Sequence, residues 1–265
     1  MADSLKLLCV LAHPDDESLG TGGTLARYAA EGVATSLITA TRGQRGWFGA
    51  PDENPGPEML GQIRERELHD AARTLGVGEL ILLDYMDGDL DQTDPREIVP
   101  LIAGHIRRLR PQVVITFDPL GVYGHPDHIA ISQFTLAALV AAAAPGDGGD
   151  PHQVAKLYFA GEPKAKLDVY ERAFGELVMT IDGQERRAIG WPEWALTARL
   201  DTRATWRQVW DAIRCHRTQL PGYDALLELP DETQIYLWGE QTLYRAYSLV
   251  NGGRQEEHDL FEGLR

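Results

Sequence analysis

Cysteine is scarce: Cys9 and Cys215 are the only two in 265 residues. Two thiols cannot make the disulfide framework of a small secreted scaffold, nor the sulfur-rich shell of a structural zinc site. Cys9 lies inside an apolar run and reads as a small core residue. Cys215 stands beside His216, without the further partners a thiolate site needs. Positive charge is short as well, with 25 Lys and Arg against 40 Asp and Glu and a net charge of −15. That balance argues against nucleic acid or an anionic membrane as a principal partner. Long apolar runs are missing too. The longest, FTLAALVAAAA at 134–144, falls well short of the roughly 20 residues that span a bilayer. The amino-terminal MADSLKLLCVLAHPDD has only a short apolar stretch broken by acids, unlike a secretory signal. These absences lead to the expectation of a cytoplasmic chain with no membrane or nucleic-acid partner. Oligomeric state is unreadable, and a homo-oligomer stays open.

The remaining composition is that of a globular protein, 43% hydrophobic, and long enough for one sizeable domain or two small ones. Strand and helix signals alternate through the first two thirds. Apolar runs at 5–12, 33–41, 79–85, 111–118 and 154–161 read as strands buried on both faces. Helical spacing fits 19–31, 57–76, 95–110 and 127–143, with glycine closing the first two and Pro95 opening the third. Such alternation predicts an α/β fold: a Rossmann-like, open, mostly parallel sheet with helices on both faces, over residues 1–161. The stretch PGDGGDP at 145–151 reads as a loop too short for a domain boundary. A mixed α+β extension over 162–250 is expected to pack on the same domain. Strands are predicted at 166–170, 177–182, 185–189 and 241–249, and a helix at 203–216. Residues 251–265 read as a polar, partly disordered tail.

Against this frame one repetition stands out. The chain reads HPDD at 13–16 and HPDH at 125–128. With 8 His, 15 Pro and 21 Asp in the chain, shuffling would yield only about 0.04 copies of His-Pro-Asp. Both copies follow predicted strands, the first and the fourth. In open α/β sheets ligands bind beyond the carboxyl ends of strands, where the strand order reverses. A sheet beginning 3-2-1-4 would bring the two copies into one crevice. They contribute His13, Asp15, Asp16, His125, Asp127 and His128. Catalytic zinc sites take three protein ligands and leave a position open. His13 and Asp16, three apart across a turn, can reach one ion, and His128 can supply the third ligand. Asp15, His125 and Asp127 are then left over: a carboxylate to take a proton from attacking water, a histidine to steady what forms, and an acid to fix that histidine's tautomer. The plainer alternative is that Asp15, Asp16 and Ser18 only cap a helix.

The motifs AHPDDE (12–17) and YGHPDH (123–128) resemble those of the PIG-L/LmbE-like zinc-dependent N-acetylglucosaminyl deacetylases. The resemblance runs over about 5–143 and more loosely to HRTQ at 216–219. It implies His13, Asp16 and His128 as zinc ligands and Asp15 as general base. It also implies His125 as oxyanion contact and proton donor, with Asp127 behind it, and Tyr123 as a mobile oxyanion contact. An arginine on the second helix holds substrate in this family, which points to Arg64 in REREL; a solvated Arg64 paired with Glu67 is the alternative. His216 is a candidate to enter the crevice as a further substrate contact. Gln44, in TRGQRG at 41–46, stands where the family usually has glutamate.

The expected function is zinc-dependent removal of an N-acetyl group from a small-molecule amino sugar or glycoconjugate, with Fe2+ or another divalent ion as the alternative metal. An amidase acting on a larger thiol or antibiotic glycoconjugate is the next reading, and a non-catalytic metal-binding protein follows it. A dinucleotide-binding oxidoreductase is disfavoured, since GTGGT at 20–24 is not the phosphate-binding glycine pattern and no acid ends the second strand. The sugar itself is not legible.

Overall fold

The computed structural model describes residues 4–265 apart from 147, 148, 223, 252 and 254. The expected alternation is present: β1 (Lys6–Leu11), α1 (Asp16–Ala30), β2 (Ala34–Thr41), α2 (Pro57–Leu75), β3 (Glu79–Tyr85), α3 (Pro95–Leu109), β4 (Val113–Thr116), a short turn α4 (Gly121–Gly124), α5 (Pro126–Ala143) and β5 (Lys156–Ala160). Of the loop 145–151, residues 147 and 148 lie outside the described residues. β1 to β5 pair in parallel in the order β3-β2-β1-β4-β5. The strand order therefore reverses between β1 and β4, where Leu7 faces Val113 and Cys9 faces Ile115. Strands covered on both faces need continuous apolar runs; all four residues of β4 are buried, as are all of β1 after Lys6.

The last third completes the same sheet. β9 (Glu240–Ser248) runs antiparallel beside β5, and β8 (Ala198–Asp201) forms the outer edge. β6 (Val178–Ile181) and β7 (Gln184–Arg187) make a separate hairpin. The short helices α7 (Trp206–Ile213), α8 (Asp224–Leu227) and α9 (Asp231–Trp238) lie between β8 and β9. The strand predicted over 166–170 is instead part of helix α6 (Lys164–Phe174). Leu167 and Tyr170 recur at a helical interval, and Lys164 pairs with Asp168 one turn on, so local spacing favours the helix over alternation.

The tail also departs from expectation. Residues 252 and 254 lie outside the described residues, but Glu257, Leu260 and Phe261 are all buried. Glu257 meets Lys156 at 2.6 Å, Arg245 at 2.7 Å and the Tyr158 hydroxyl. The Tyr28 hydroxyl donates to Asp259 and accepts the Leu260 amide. Charge in a tail predicts exposure only while it lacks partners, and this acid has three.

Candidate active site

Two turns at the sheet's reversal point carry the site. Leaving β1, Asp15 precedes α1 with φ 100, a conformation rare outside glycine that costs about 1–3 kcal/mol. Neighbouring acids fix it: Glu17 accepts the Asp15 amide at 3.0 Å, and Asp16 accepts the His13 amide at 2.7 Å. The Asp15 side chain makes no capping bond to α1, so helix capping does not account for the first motif. Leaving β4, His125 stands at the cap of α5, with Pro126 in the first turn where a missing N–H costs nothing.

The structure brings both turns together. His13 Nδ1 lies 3.2 Å from His128 Nε2, and the Asp16 carboxylate is 3.7 Å from the first and 3.4 Å from the second. One atom of each residue falls within 4.8 Å of the others. Two imidazole nitrogens and a carboxylate oxygen turned on one another are a cation's donor set, matching that of catalytic zinc. A second trio, His13, His125 and Asp127, is as tightly grouped. Its Asp127 carboxylate is already saturated, however. One oxygen accepts the Gly88 amide at 2.7 Å and faces His13 Nε2 at 3.0 Å, and the other accepts the Leu90 amide at 3.1 Å. His13 thus keeps Nδ1 for an ion while Nε2 is held from behind, the arrangement that orients metal-ligating histidines.

Protonation follows from these contacts. Burial opposes charge on His13, but hydrogen bonds to Asp127 and Asp87 and the nearby Asp16 lift its pKa to about 10. Burial, then the His13 charge, pushes His125 down to about 4 and His128 well below the ordinary histidine value. Burial raises Asp16 to about 7 against the pull of His13. Asp87 and Asp127 are held low by His13 despite burial. The acids around His13 favour positive charge at the centre of the cluster.

A cavity of about 560 Å³ opens over the cluster and is lined by His13, Asp15, Asp16, Tyr123, His125 and His128. Its lining also includes the polar Arg45, Arg64, Asp87 and Gln219 and the apolar Leu167, Leu177, Met179, Ile189 and Trp191. Burial and the charges of Asp16 and Asp15 raise the Tyr123 hydroxyl, so it stays a donor at neutral pH.

Two expectations need correction, those for Asp127 and His216. Asp127 was expected to hold His125 through its carboxylate. That carboxylate faces His13 instead, and Asp127 reaches His125 through its backbone amide, which donates to Nδ1 at 3.2 Å. This leaves the proton of a neutral His125 on Nε2. Arg64, expected to hold substrate, does line the cavity; only the alternative of a solvated arginine paired with Glu67 is set aside. Arg64 is buried, and its guanidinium donates to the Pro14 and Gly43 carbonyls and to Asp15 at 3.1 Å. Its packing is close enough that a Cβ on Gly43 or Gly46 would stand 2.3 Å from it. Glu67 instead accepts from the Thr218 amide and hydroxyl. His216 was expected in the crevice. It is fully buried outside the cavity lining, with Nε2 2.7 Å from Glu17. Gln44 explains its own departure from the family pattern: it accepts the Arg42 and Asp87 amides and donates to the Tyr85 carbonyl. Glutamate could not make that last bond.

Sequence reasoning missed Asp87, 3.1 Å from His13 Nε2, and Glu17. Asp87 had a signal, since it follows β3, the strand two places from β1 in the same sheet, at the same carboxyl edge. Glu17 and His216 form a buried pair in which burial is outweighed by mutual attraction, lowering the acid and raising the histidine. Glu17→Ala removes the partner of a buried imidazole and the acceptor of the strained Asp15 amide. The expected loss is about 3–5 kcal/mol, a fall in thermal midpoint on the order of 10 °C. An unchanged melting curve would contradict it.

Residues 8–139 match the PIG-L family, described as GlcNAc-PI de-N-acetylase. The chain is similar to the 1D-myo-inositol 2-acetamido-2-deoxy-alpha-D-glucopyranoside deacetylase of Tsukamurella paurometabola, with 37% identity covering 98% of this chain and 99% of the relative. Among solved structures it resembles the N,N'-diacetylchitobiose deacetylase of Pyrococcus horikoshii, at TM-score 0.63 and 22% identity over 89% of this chain and 76% of that one. It also resembles GalB, the 4-carboxy-2-hydroxymuconate hydratase of Pseudomonas putida, at TM-score 0.69 and 19% identity over 94% and 99%. At these identities the structural likenesses show the fold, which hosts more than one chemistry.

Proposed function

The chain belongs to the PIG-L family, and from that premise we propose that it is a zinc-dependent hydrolase that removes the acetyl group from an N-acetylglucosamine glycoside, with an inositol glycoside as the first candidate. The observation that carries this reading is the convergence of His13, Asp16 and His128 with Asp15 left beside them unligated. The relatives' names favour the sugar, and the polar residues lining the cavity suit its hydroxyls. The donor set fits zinc, and Fe2+ shares the preference for imidazole with carboxylate. A bound ion supplies Lewis acidity, polarising the amide carbonyl and making water acidic enough to attack near neutral pH.

The protein's own groups do the rest. Asp15, anchored by Arg64, takes the proton from the attacking water. His125, neutral and protonated on Nε2, donates a hydrogen bond to the developing oxyanion, and the proton that Asp15 took from water passes to the departing amine. Tyr123, kept protonated, is a second donor to that oxygen. Amide and water become amine and acetate, with no other reactant. No helix among the described residues is long and apolar enough to cross a membrane, and a cytoplasmic setting is part of the proposal.

The test is acetate release from a panel of N-acetylglucosamine glycosides, run with metal analysis of the same sample. Metal with acetate release from the inositol glycoside is the expected result. Metal without turnover on any member would favour a binding protein. Hydration of an unsaturated carboxylate would favour chemistry like that of the hydratase neighbour.

A further inference from the structure

The loop carrying Tyr123 packs on α5, where Gly121 lies against His128 and Ile129, and is gripped by the β6–β7 hairpin as well. Val122, a β-branched residue, has φ 65 and ψ −69, a backbone that persists only where its surroundings over-determine it. Besides α5, those surroundings include the β6–β7 hairpin and the chain leaving it. At one end of the loop Trp191 Nε1 donates to Asp118 at 3.0 Å, and the other Asp118 oxygen accepts the Leu120 amide at 2.8 Å and the Val122 amide at 3.4 Å. At the other end the Arg186 guanidinium donates to the Gly124 carbonyl at 2.7 Å. Its stem lies so close that a Cβ on Gly124 would stand 2.6 Å from it, and Gly124 itself has φ 80. Tyr123 sits between the two anchors, its ring centroid 5.8 Å from that of His125. The same segment presents Leu177, Met179 and Ile189 to the cavity. The hairpin segment thus lines the cavity and also grips the loop that carries both proposed oxyanion donors, Tyr123 and His125.

We propose that Arg186 is a positioning residue: through its bond to the Gly124 carbonyl it ties the hairpin wall of the substrate cavity to the placement of Tyr123 and His125. The inference rests on the deacetylase reading. Arg186 touches no reacting atom; it acts by fixing the backbone carbonyl of Gly124, the residue between Tyr123 and His125.

The test compares Arg186→Ala, Arg186→Lys, Tyr123→Phe and the double variant Arg186→Ala/Tyr123→Phe on the glycoside that the unaltered enzyme turns over best. Arg186→Ala is expected to lower kcat about tenfold with KM nearly unchanged, as small misplacements of reacting groups do. Lysine, which can still donate to the carbonyl, is expected to restore part of the loss. The double variant should lose clearly less than the product of the two single losses, because coupled residues are not additive; what further loss remains is that through His125. Amide hydrogen exchange over 119–126 should quicken in Arg186→Ala while metal content and melting temperature hold. An unchanged kcat, or losses that simply multiply in the double variant, would overturn the clamp. Absence of acetate release from the unaltered enzyme would instead remove the deacetylase reading, and the clamp with it.

Discussion

Replacing Asp15 is expected to leave a full equivalent of metal bound while acetate release falls by about 10²–10⁴-fold, the usual worth of a general base. The expectation follows from placement. Asp15 lines the cavity next to the trio but is not a member of it. Its carboxylate pairs with the buried Arg64 at 3.1 Å. The choice of substitution matters, because Asp15 sits at φ 100. Alanine there adds backbone strain to the loss of the carboxylate, whereas asparagine tolerates the left-handed region. Asp15→Asn is therefore the cleaner variant: it keeps the backbone and the size and removes only the basicity. Both variants should bind metal, and only Asp15→Ala should melt noticeably earlier. Full turnover in Asp15→Asn would end its assignment as the base, and loss of metal would move it into the ligand set.

What could be read in advance divides along physical lines. The parallel core was legible because strands buried on both faces must be continuously apolar and the helices between them must end somewhere, at Gly32 and Gly76 among other places. The trio was legible because two histidine-rich turns at strand ends have one place to meet once β1 and β4 are neighbours. The contacts behind the trio were not. Asp127 lies in the same motif as His125, yet it turns its carboxylate to His13, over a hundred positions away in the chain. That choice depends on the loop after β3 offering the Gly88 and Leu90 amides. Nothing in the spacing of HPDH encodes it. His216 was expected as a substrate contact because HRTQ loosely fits the family pattern, and its burial against Glu17 emerges only when α1 meets the chain after α7. The tail misled for a related reason: a charged sequence looks solvated until its partners, here Lys156 and Arg245, come from elsewhere.

His13 is the residue on which both parts of the site depend, so His13→Ala is expected to abolish metal binding and turnover together. The loss of affinity should exceed the roughly 10–100-fold that removing an outer partner of a ligand costs. A second effect distinguishes it from the other ligands. With His13 gone, Asp87 and Asp127 lose the group that holds both carboxylates ionised in the interior. Uncompensated buried charge costs about 3–5 kcal/mol, so His13→Ala should melt early even without metal. His128→Ala, whose ring stacks on Phe117 at 3.9 Å and leaves no acid pair behind, should lose metal and turnover while the apo-protein melts near the unaltered temperature. The same chemistry predicts a proton count. With His13 raised to about 10 and Asp16 to about 7, the metal-free cluster at about pH 8 carries its proton on His13, and an ion must displace it. Calorimetric titration of the apo-enzyme in two buffers of different ionisation enthalpy should report about one proton released per ion, with apparent affinity rising as pH is raised. A proton count of zero would mean that His13 is already neutral in the metal-free protein, and its bonds to Asp127 and Asp87 would then have to be reassigned.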